Sequence, residues 1–227
     1  MKVAICLSGI PRHLRPKNFL ERIASWYETT LFVNYWEHEP NIINHQFNGG
    51  GSGKVPVVFH HRQVKSPLYE SYFTKQIFSE MIPTFQKMKD KIRPECQDRH
   101  DLGVFGMTYS ILKSHEMRVA YENEHNMQFD CVIRCRFESG FRFDEGDRSI
   151  LDLYAYDLRH IYTPDINVNV NCGMNDQLAF GNRDVMAIYM TMYNRIIPLS
   201  NRFRHSPEWM AHFNIEGIKR YAQAVVG

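Results

Sequence analysis

The sequence predicts an α/β domain built on a mainly parallel central sheet flanked by helices, and three stretches carry that prediction. Val3–Leu7 (VAICL) is a short, unbroken apolar run closed by Ser8-Gly9, the pattern of a strand covered on both faces. Leu31–Trp36 (LFVNYW) is a second such run, with one helix-length segment between the two; strand, helix, strand at this spacing is a βαβ unit, and such units build parallel sheets. The third is Phe129–Phe143 (FDCVIRCRFESGFRF), where Phe129, Cys131, Ile133, Cys135 and Phe137 alternate with Asp130, Val132, Arg134, Arg136 and Glu138. A period of two is the signature of a strand. Two arginines and a carboxylate on one face, just before a Ser-Gly turn, need a reason.

The elements follow in order. After Val3–Leu7, a helix is expected over Asn18–Thr29, where Phe19, Ile23, Trp26 and Tyr27 share a face. Leu31–Trp36 and then Val55–Phe59 read as strands, and Leu68–Ile82 and Pro83–Ile92 as helices. Gly106–Glu124 is the best helix in the chain, with Met107, Ile111, Met117 and Tyr121 at helical spacing, and it leads into the strand Phe129–Glu138. Asp176–Gly181 (DQLAFG) is a short strand; Asn182 then caps a helix running to about Ile197, before Pro198. Pro207-Glu208 starts a last helix, and Ile218–Val226 is a closing strand. Strands and helices alternate through the first half, and the second half is more mixed.

Composition fits one domain spanning 1–227. A chain of 227 residues buries about 70% or more of its unfolded surface and folds without a disulfide or metal staple. It is 44% hydrophobic, 23% charged and 13% aromatic, a globular profile. The net charge of +2, from 27 basic and 25 acidic residues, lacks the concentrated basic excess of a nucleic-acid binder. Even the densest charged run, Lys87–Asp101, mixes both signs. The five cysteines are odd in number and form no C-x-x-C pair, which points to a reducing, cytoplasmic setting. The apolar run of the N-terminus is too short for a signal peptide, and nothing approaches a transmembrane stretch.

Asn48–Lys54 (NGGGSGK) invites comparison with a phosphate-binding P-loop and fails it twice: Asn48 stands where the motif needs Gly, and Val55 where it needs Ser or Thr. A flexible Gly-Ser loop is the better description, and its repeat resembles the linkers used to replace loops by design.

In open α/β sheets ligands sit beyond the carboxyl ends of the strands. After the first strand come Ser8, Gly9, Pro11 and Arg12. Small residues there admit a ligand to backbone N–H groups, and Arg12 offers a planar fork for phosphate; an ordinary turn with a surface arginine fits as well. On the strand Phe129–Glu138, the pair Arg134 and Arg136 with Glu138 has two accounts. One is a structural salt-bridge network with Asp130, Asp144 or Asp147, since a buried charge demands a partner. The other has the arginines meeting diphosphate oxygens while Glu138 meets a hard divalent cation. Asp176, in NCGMNDQ, is placed either as a general base or as a turn residue. His212 is a surface histidine or a ligand; Trp36, Tyr109 and Trp209 are core aromatics or stacking platforms. No G-x-S-x-G elbow supports a hydrolase, and no H-x-x-x-H pair marks a zinc site.

Four blocks in a fixed order carry a resemblance: AICLSGIPR, MTYSILKSHEMRVAYENEHNMQFDCVIRCRFES, MNDQLAFGNRDVM and PEWMAHFNIEGI. Together they resemble small glycosyltransferase-like proteins of the GT-A fold found in bacteria, cyanophages and large DNA viruses, over most of the chain except roughly residues 40–100. The resemblance implies a Rossmann-like, single-domain GT-A enzyme that moves a sugar from a nucleotide diphosphate donor, UDP- or GDP-linked, to the hydroxyl of a glycan or other acceptor. It implies that Ser8, Gly9 and Arg12 hold the nucleotide, and that Arg134 and Arg136 contact the diphosphate. Arg136–Glu138 (RFE) occupies the place of the Asp-x-Asp motif, whose last carboxylate binds Mn²⁺ or Mg²⁺. Glu138 is then the metal ligand, and Arg136, replacing the first aspartate, neutralises phosphate directly. Asp176 is the candidate base of an inverting transfer. Two rivals share these parts: a nucleotidyltransferase, and a catalytically silent carbohydrate- or protein-binding module, which the irregular Arg-x-Glu favours.

Overall fold

The computed structural model describes residues 1–9, 17–36, 67–94, 101–137, 152–163, 177–202 and 224–226. Their strands are β1 (Lys2–Gly9), β2 (Glu28–Trp36), β3 (Leu68–Phe73), β4 (Cys131–Arg136), β5 (Ile161–Thr163), β6 (Leu178–Gly181) and β7 (Ala224–Val226). The helices are α1 (Lys17–Trp26), α2 (Lys75–Lys89), α3 (Asp101–Glu124), α4 (Arg183–Met190) and α5 (Ile196–Arg202), with short 3₁₀ turns at Leu153–Ala155 and Met192–Arg195. The strands form one sheet in the order β3-β2-β1-β4-β6-β5-β7. Pairing is parallel for β1 with β2, β1 with β4, β2 with β3 and β5 with β7, and only β6 runs against its neighbours. The expected α/β class, with a mainly parallel central sheet flanked by helices, is what the structure shows.

Alternation in the central strands sorts side chains onto two covered faces. Val3, Ile5 and Leu7 of β1, Leu31 and Val33 of β2, and Cys131, Ile133 and Cys135 of β4 pack with Phe19, Leu20 and Ile23 of α1. Ala4, Cys6, Phe32, Val132 and Ala179 face the opposite way, against Ile111 of α3 and Val185, Met186, Tyr189 and Met190 of α4. A third cluster, with Trp36, Phe78, Phe85, Val104 and Phe105, locks α2 onto α3. On α1 the buried stripe is Phe19, Leu20 and Ile23, with Tyr27 packed alongside; Trp26 falls on its rim and is 48% exposed.

Several boundaries differ from the sequence expectation: α1 ends at Trp26 rather than Thr29, because β2 starts at Glu28, and α3 starts at Asp101 rather than Gly106. Leu68–Phe73 is an edge strand, not the start of a helix. Its alternating side chains pair with β2, and Tyr69 and Tyr72 stack on Phe32 and Tyr35, each at 5.6 Å. The helix begins only at Lys75, where the Thr74 hydroxyl accepts the N–H of Ile77 at 3.2 Å. That helix then continues through Pro83 rather than splitting there. Phe78 before the proline and Phe85 after it are both buried in one aromatic cluster, which holds the two halves in line. Asn182 caps α4 as expected, its side chain accepting from Asp184 and Val185 N–H. The segment that follows is broken into α4, a 3₁₀ turn and α5, and Pro198 lies in the first turn of α5, where a missing N–H is tolerated. The expected strand Val55–Phe59, the loop Asn48–Lys54 and the helix from Pro207 lie outside the described residues.

Candidate functional site

Strands β2 and β3 lie on one side of β1, and β4 lies on the other. The chain therefore reverses its direction of growth between β1 and β4, and the carboxyl ends of strands flanking such a switch point frame a ligand crevice. Ser8 and Arg136 are direct partners across that boundary, and Cys6 and Arg134 are the pair two residues below. Four residues singled out from sequence, Ser8, Gly9, Arg134 and Arg136, are thus brought together by register alone.

Arg134 is the unusual member. It is fully buried on the α3 side of the sheet. Its Nε–H reaches the Ser8 hydroxyl at 3.4 Å, while Nη1 and Nη2 have no acceptor among the described residues. A guanidinium carries five N–H donors and no acceptor, so a dry environment leaves it short of partners at a cost of about 1–3 kcal/mol for each unsatisfied group. The salt-bridge account of this strand is not realised through Asp130, whose carboxylate instead accepts the Lys2 N–H at 2.7 Å. Asp144 and Asp147 lie outside the described residues. The neighbouring Cys6 thiol is pushed up to about 12, chiefly by burial, with Arg118 and Arg134 pulling it back and Glu122 pushing with it.

The end of β1 is set by a hydrogen-bonded chain through four elements. Gly9 has φ +122°, a conformation open to glycine and strained for other residues. Its N–H donates to the Ser110 hydroxyl of α3 at 3.2 Å. That hydroxyl lies 2.7 Å from Asn34 Oδ1 and 2.9 Å from the Asn34 carbonyl, so it donates to β2. Asn34 Nδ2 donates to the Ser71 hydroxyl of β3 at 2.8 Å, and Ser71 in turn contacts Met117 Sδ at 3.0 Å. Ser110, Asn34 and Ser71 were not among the residues picked from sequence. Asn34 had left a trace there: one amide inside the apolar run LFVNYW must find partners if the strand is covered on both faces.

Arg12, Glu138 and Asp176 lie outside the described residues, as do His212 and Trp209. Asp176 directly precedes Gln177, whose carbonyl accepts the Arg136 N–H at 2.9 Å at the carboxyl end of β4. Trp36 is core: it is buried, and its indole N–H donates to the Gly106 carbonyl at 3.0 Å. Tyr109 packs against Trp36, Phe73, Phe85 and Tyr193 in the same aromatic cluster, again a core role rather than a platform.

The described crevice residues are cationic or hydroxyl-bearing, a set suited to oxyanions and not to a divalent cation. Among the described residues no group of three or more His, Cys, Asp or Glu is arranged to hold a metal ion. None of their helices is long and apolar enough to cross a membrane.

No family model matches the chain, and no curated protein matches it. Among solved structures, the chain is similar to the crystal structure of mouse xyloside xylosyltransferase 1 in its apo form, at 10% identity and a TM-score of 0.42, covering 99% of this chain and 85% of that one. At that identity and overlap, the likeness carries none of the functional assignment.

Proposed function

We propose that this chain is a glycosyltransferase that moves a sugar from a nucleotide diphosphate sugar, with a UDP- or GDP-linked donor favoured, to an acceptor hydroxyl. In this proposal the diphosphate lies across the carboxyl ends of β1 and β4. The observation that supports it is the buried Arg134 guanidinium, whose two terminal nitrogens lack acceptors among the described residues, beside Ser8 at the switch point of the sheet. A diphosphate oxygen pair supplies what such a fork lacks, as two parallel charge-assisted hydrogen bonds. The GT-A resemblance of the sequence blocks supplies the reaction class.

Each residue then has a task. Backbone around Gly9, made accessible by the missing side chain and pinned through Ser110, lines the approach of the nucleotide. Arg134, Arg136 and Arg12 stabilise the negative charge that grows on the leaving diphosphate. Asp176 is the proposed base toward the acceptor hydroxyl. Glu138 is the proposed ligand for Mn²⁺ or Mg²⁺, which would help neutralise the diphosphate charge; the described residues do not by themselves complete a cation site.

The test is thermal unfolding with UDP, GDP, CMP, dTDP and ATP, each with and without Mn²⁺. A nucleotide at about 100 times its dissociation constant adds about 2.7 kcal/mol, or roughly 5–11 °C at about 2–4 °C per kcal/mol for a domain of this size. The expected result is a shift with one diphosphate that disappears in Arg134→Gln; growth of the shift with Mn²⁺ supports Glu138. Asp176→Asn is expected to keep donor binding while transfer is lost, and loss of both removes the base assignment. No shift with any nucleotide refutes the transferase.

A further inference from the structure

A cavity of about 670 Å³ opens at the end of the sheet away from the crevice, between the C-terminal half of α3 and the start of α4. Its floor is a buried polar cluster that the crevice does not use. Arg118, 2% exposed, donates from Nη1 to Glu122 Oε2 at 2.5 Å and from Nη2 to His115 Nδ1 at 3.2 Å. Glu122 Oε1 accepts the N–H of Phe129, which precedes β4 at its amino end. A guanidinium only donates, so Nδ1 of His115 accepts. Nε2–H is then the remaining donor of the ring, on a residue that lines the cavity. Arg118 Nε is buried with no acceptor among the described residues.

The charges at this cavity cancel locally. Arg118 is matched by Glu122, and Arg183 by Asp184 at 3.3 Å. An incoming anion would meet the two carboxylates, and an incoming cation the two guanidinium groups. Asn123, Asn126 and Gln128, all exposed at the rim, add amides that both donate and accept. Val119, Met127 and Ala187 contribute apolar patches between them. A hydroxyl is the group that matches such a mixed set, since it gives one hydrogen bond and takes up to two, and a sugar ring adds a C–H face for the apolar patches.

We propose that this cavity binds an uncharged, hydroxyl-rich ligand, a neutral mono- or disaccharide, at a site separate from the β1/β4 crevice. The site does not depend on the transferase assignment, because it shares no residue with the crevice.

Met127 supplies a local reporter. Full-length protein carrying ¹³C-methyl methionine is titrated with glucose, galactose, mannose and maltose to about 50 mM, enough to saturate a millimolar site. The expected result is a saturable shift of the Met127 methyl resonance with at least one sugar, retained in Arg134→Gln. Combining Asn123→Ala and Gln128→Ala, both at exposed positions, is expected to weaken that binding about tenfold or more with an unchanged unfolding midpoint. His115→Phe, which removes the ring donor, is expected to weaken it as well. Three results each overturn the proposal: no sugar moves Met127, inorganic phosphate or UDP moves it in preference to the sugars, or the sugar response survives intact in the double variant.

Discussion

Replacing Arg134 with methionine separates a functional guanidinium from a structural one, because the two roles predict opposite signs. Arg134 is fully buried, holds one long hydrogen bond to Ser8 at 3.4 Å, and leaves Nη1 and Nη2 without acceptors among the described residues. Two unsatisfied nitrogens at about 1–3 kcal/mol each set the scale of the penalty carried by the ligand-free protein. Methionine is unbranched and flexible enough to occupy much of the same channel, and exchanging buried charge for apolar volume is often neutral or stabilising by about 1–4 kcal/mol. Imperfect filling offsets part of that gain. The expected net effect is about 2 kcal/mol of added stability, which raises the melting temperature by roughly 4–8 °C in a domain of this size. The same variant is expected to lose the stabilisation that the nucleotide gives the parent protein. The assay is urea unfolding of parent and variant, each with and without the stabilising nucleotide diphosphate. A ligand-free variant less stable by 1 kcal/mol or more (about fivefold in the folding equilibrium), with nucleotide stabilisation intact, would refute the reasoning. Arg134 would then be a structural residue whose removal breaks a paired network.

Three other outcomes are checkable by routine measurements. Gly9→Ala meets open space at its Cβ but sits at φ +122°, so backbone strain alone is expected to cost about 1–3 kcal/mol in urea unfolding; a change under about 0.5 kcal/mol would mean that the end of β1 relaxes freely. Burial first, and the Arg118 charge second, lower His115 from 6.5 to about 4. The unfolded chain therefore binds the proton more readily, so the His115 contribution to stability is complete above about pH 6.5 and is lost as the pH drops toward 4. The loss has an upper bound of about 3 kcal/mol and levels off below that pH. His115→Gln should flatten that slope, and a slope unchanged in the variant would assign it to other groups. Burial pushes the Cys6 thiol up to about 12 and the Cys131 thiol up strongly as well. Neither is expected to react with iodoacetamide at pH 8 in the native protein, and labelling read by mass spectrometry before global unfolding would contradict the packed core.

Much of the scaffold was legible because it rests on local patterns. The apolar runs in β1 and β2, the alternation in β4 and the Asn182 cap each report on the residues that form them, and each was found where the sequence put it. Leu68–Phe73 was misread because its aromatics fit a helical face as well as a strand, and only pairing with β2 settles the choice. Pro83 misled for a related reason, since its local penalty is outweighed by Phe78 and Phe85 in one shared cluster. The long helix α3 was recognised from Met107, Ile111, Met117 and Tyr121, yet its buried face also carries Ser110, Ser114, Arg118 and Glu122. Polar residues in such positions look solvent-facing until the opposing sheet is known.

The candidate crevice divides in the same way. Sequence by itself determined that small residues follow the first strand, and that two arginines share one face of a later strand, because composition and a period of two are properties of neighbours along the chain. It could not say that these strands lie side by side, that Ser8 meets Arg136 in register, or that Arg134 is fully buried with two nitrogens lacking acceptors among the described residues. Nor could it join Gly9, Ser110, Asn34 and Ser71, which come from four elements up to about a hundred residues apart. Strand order and burial are set by how the whole sheet pairs and by what covers it, so only the tertiary structure decides which polar residues become a site.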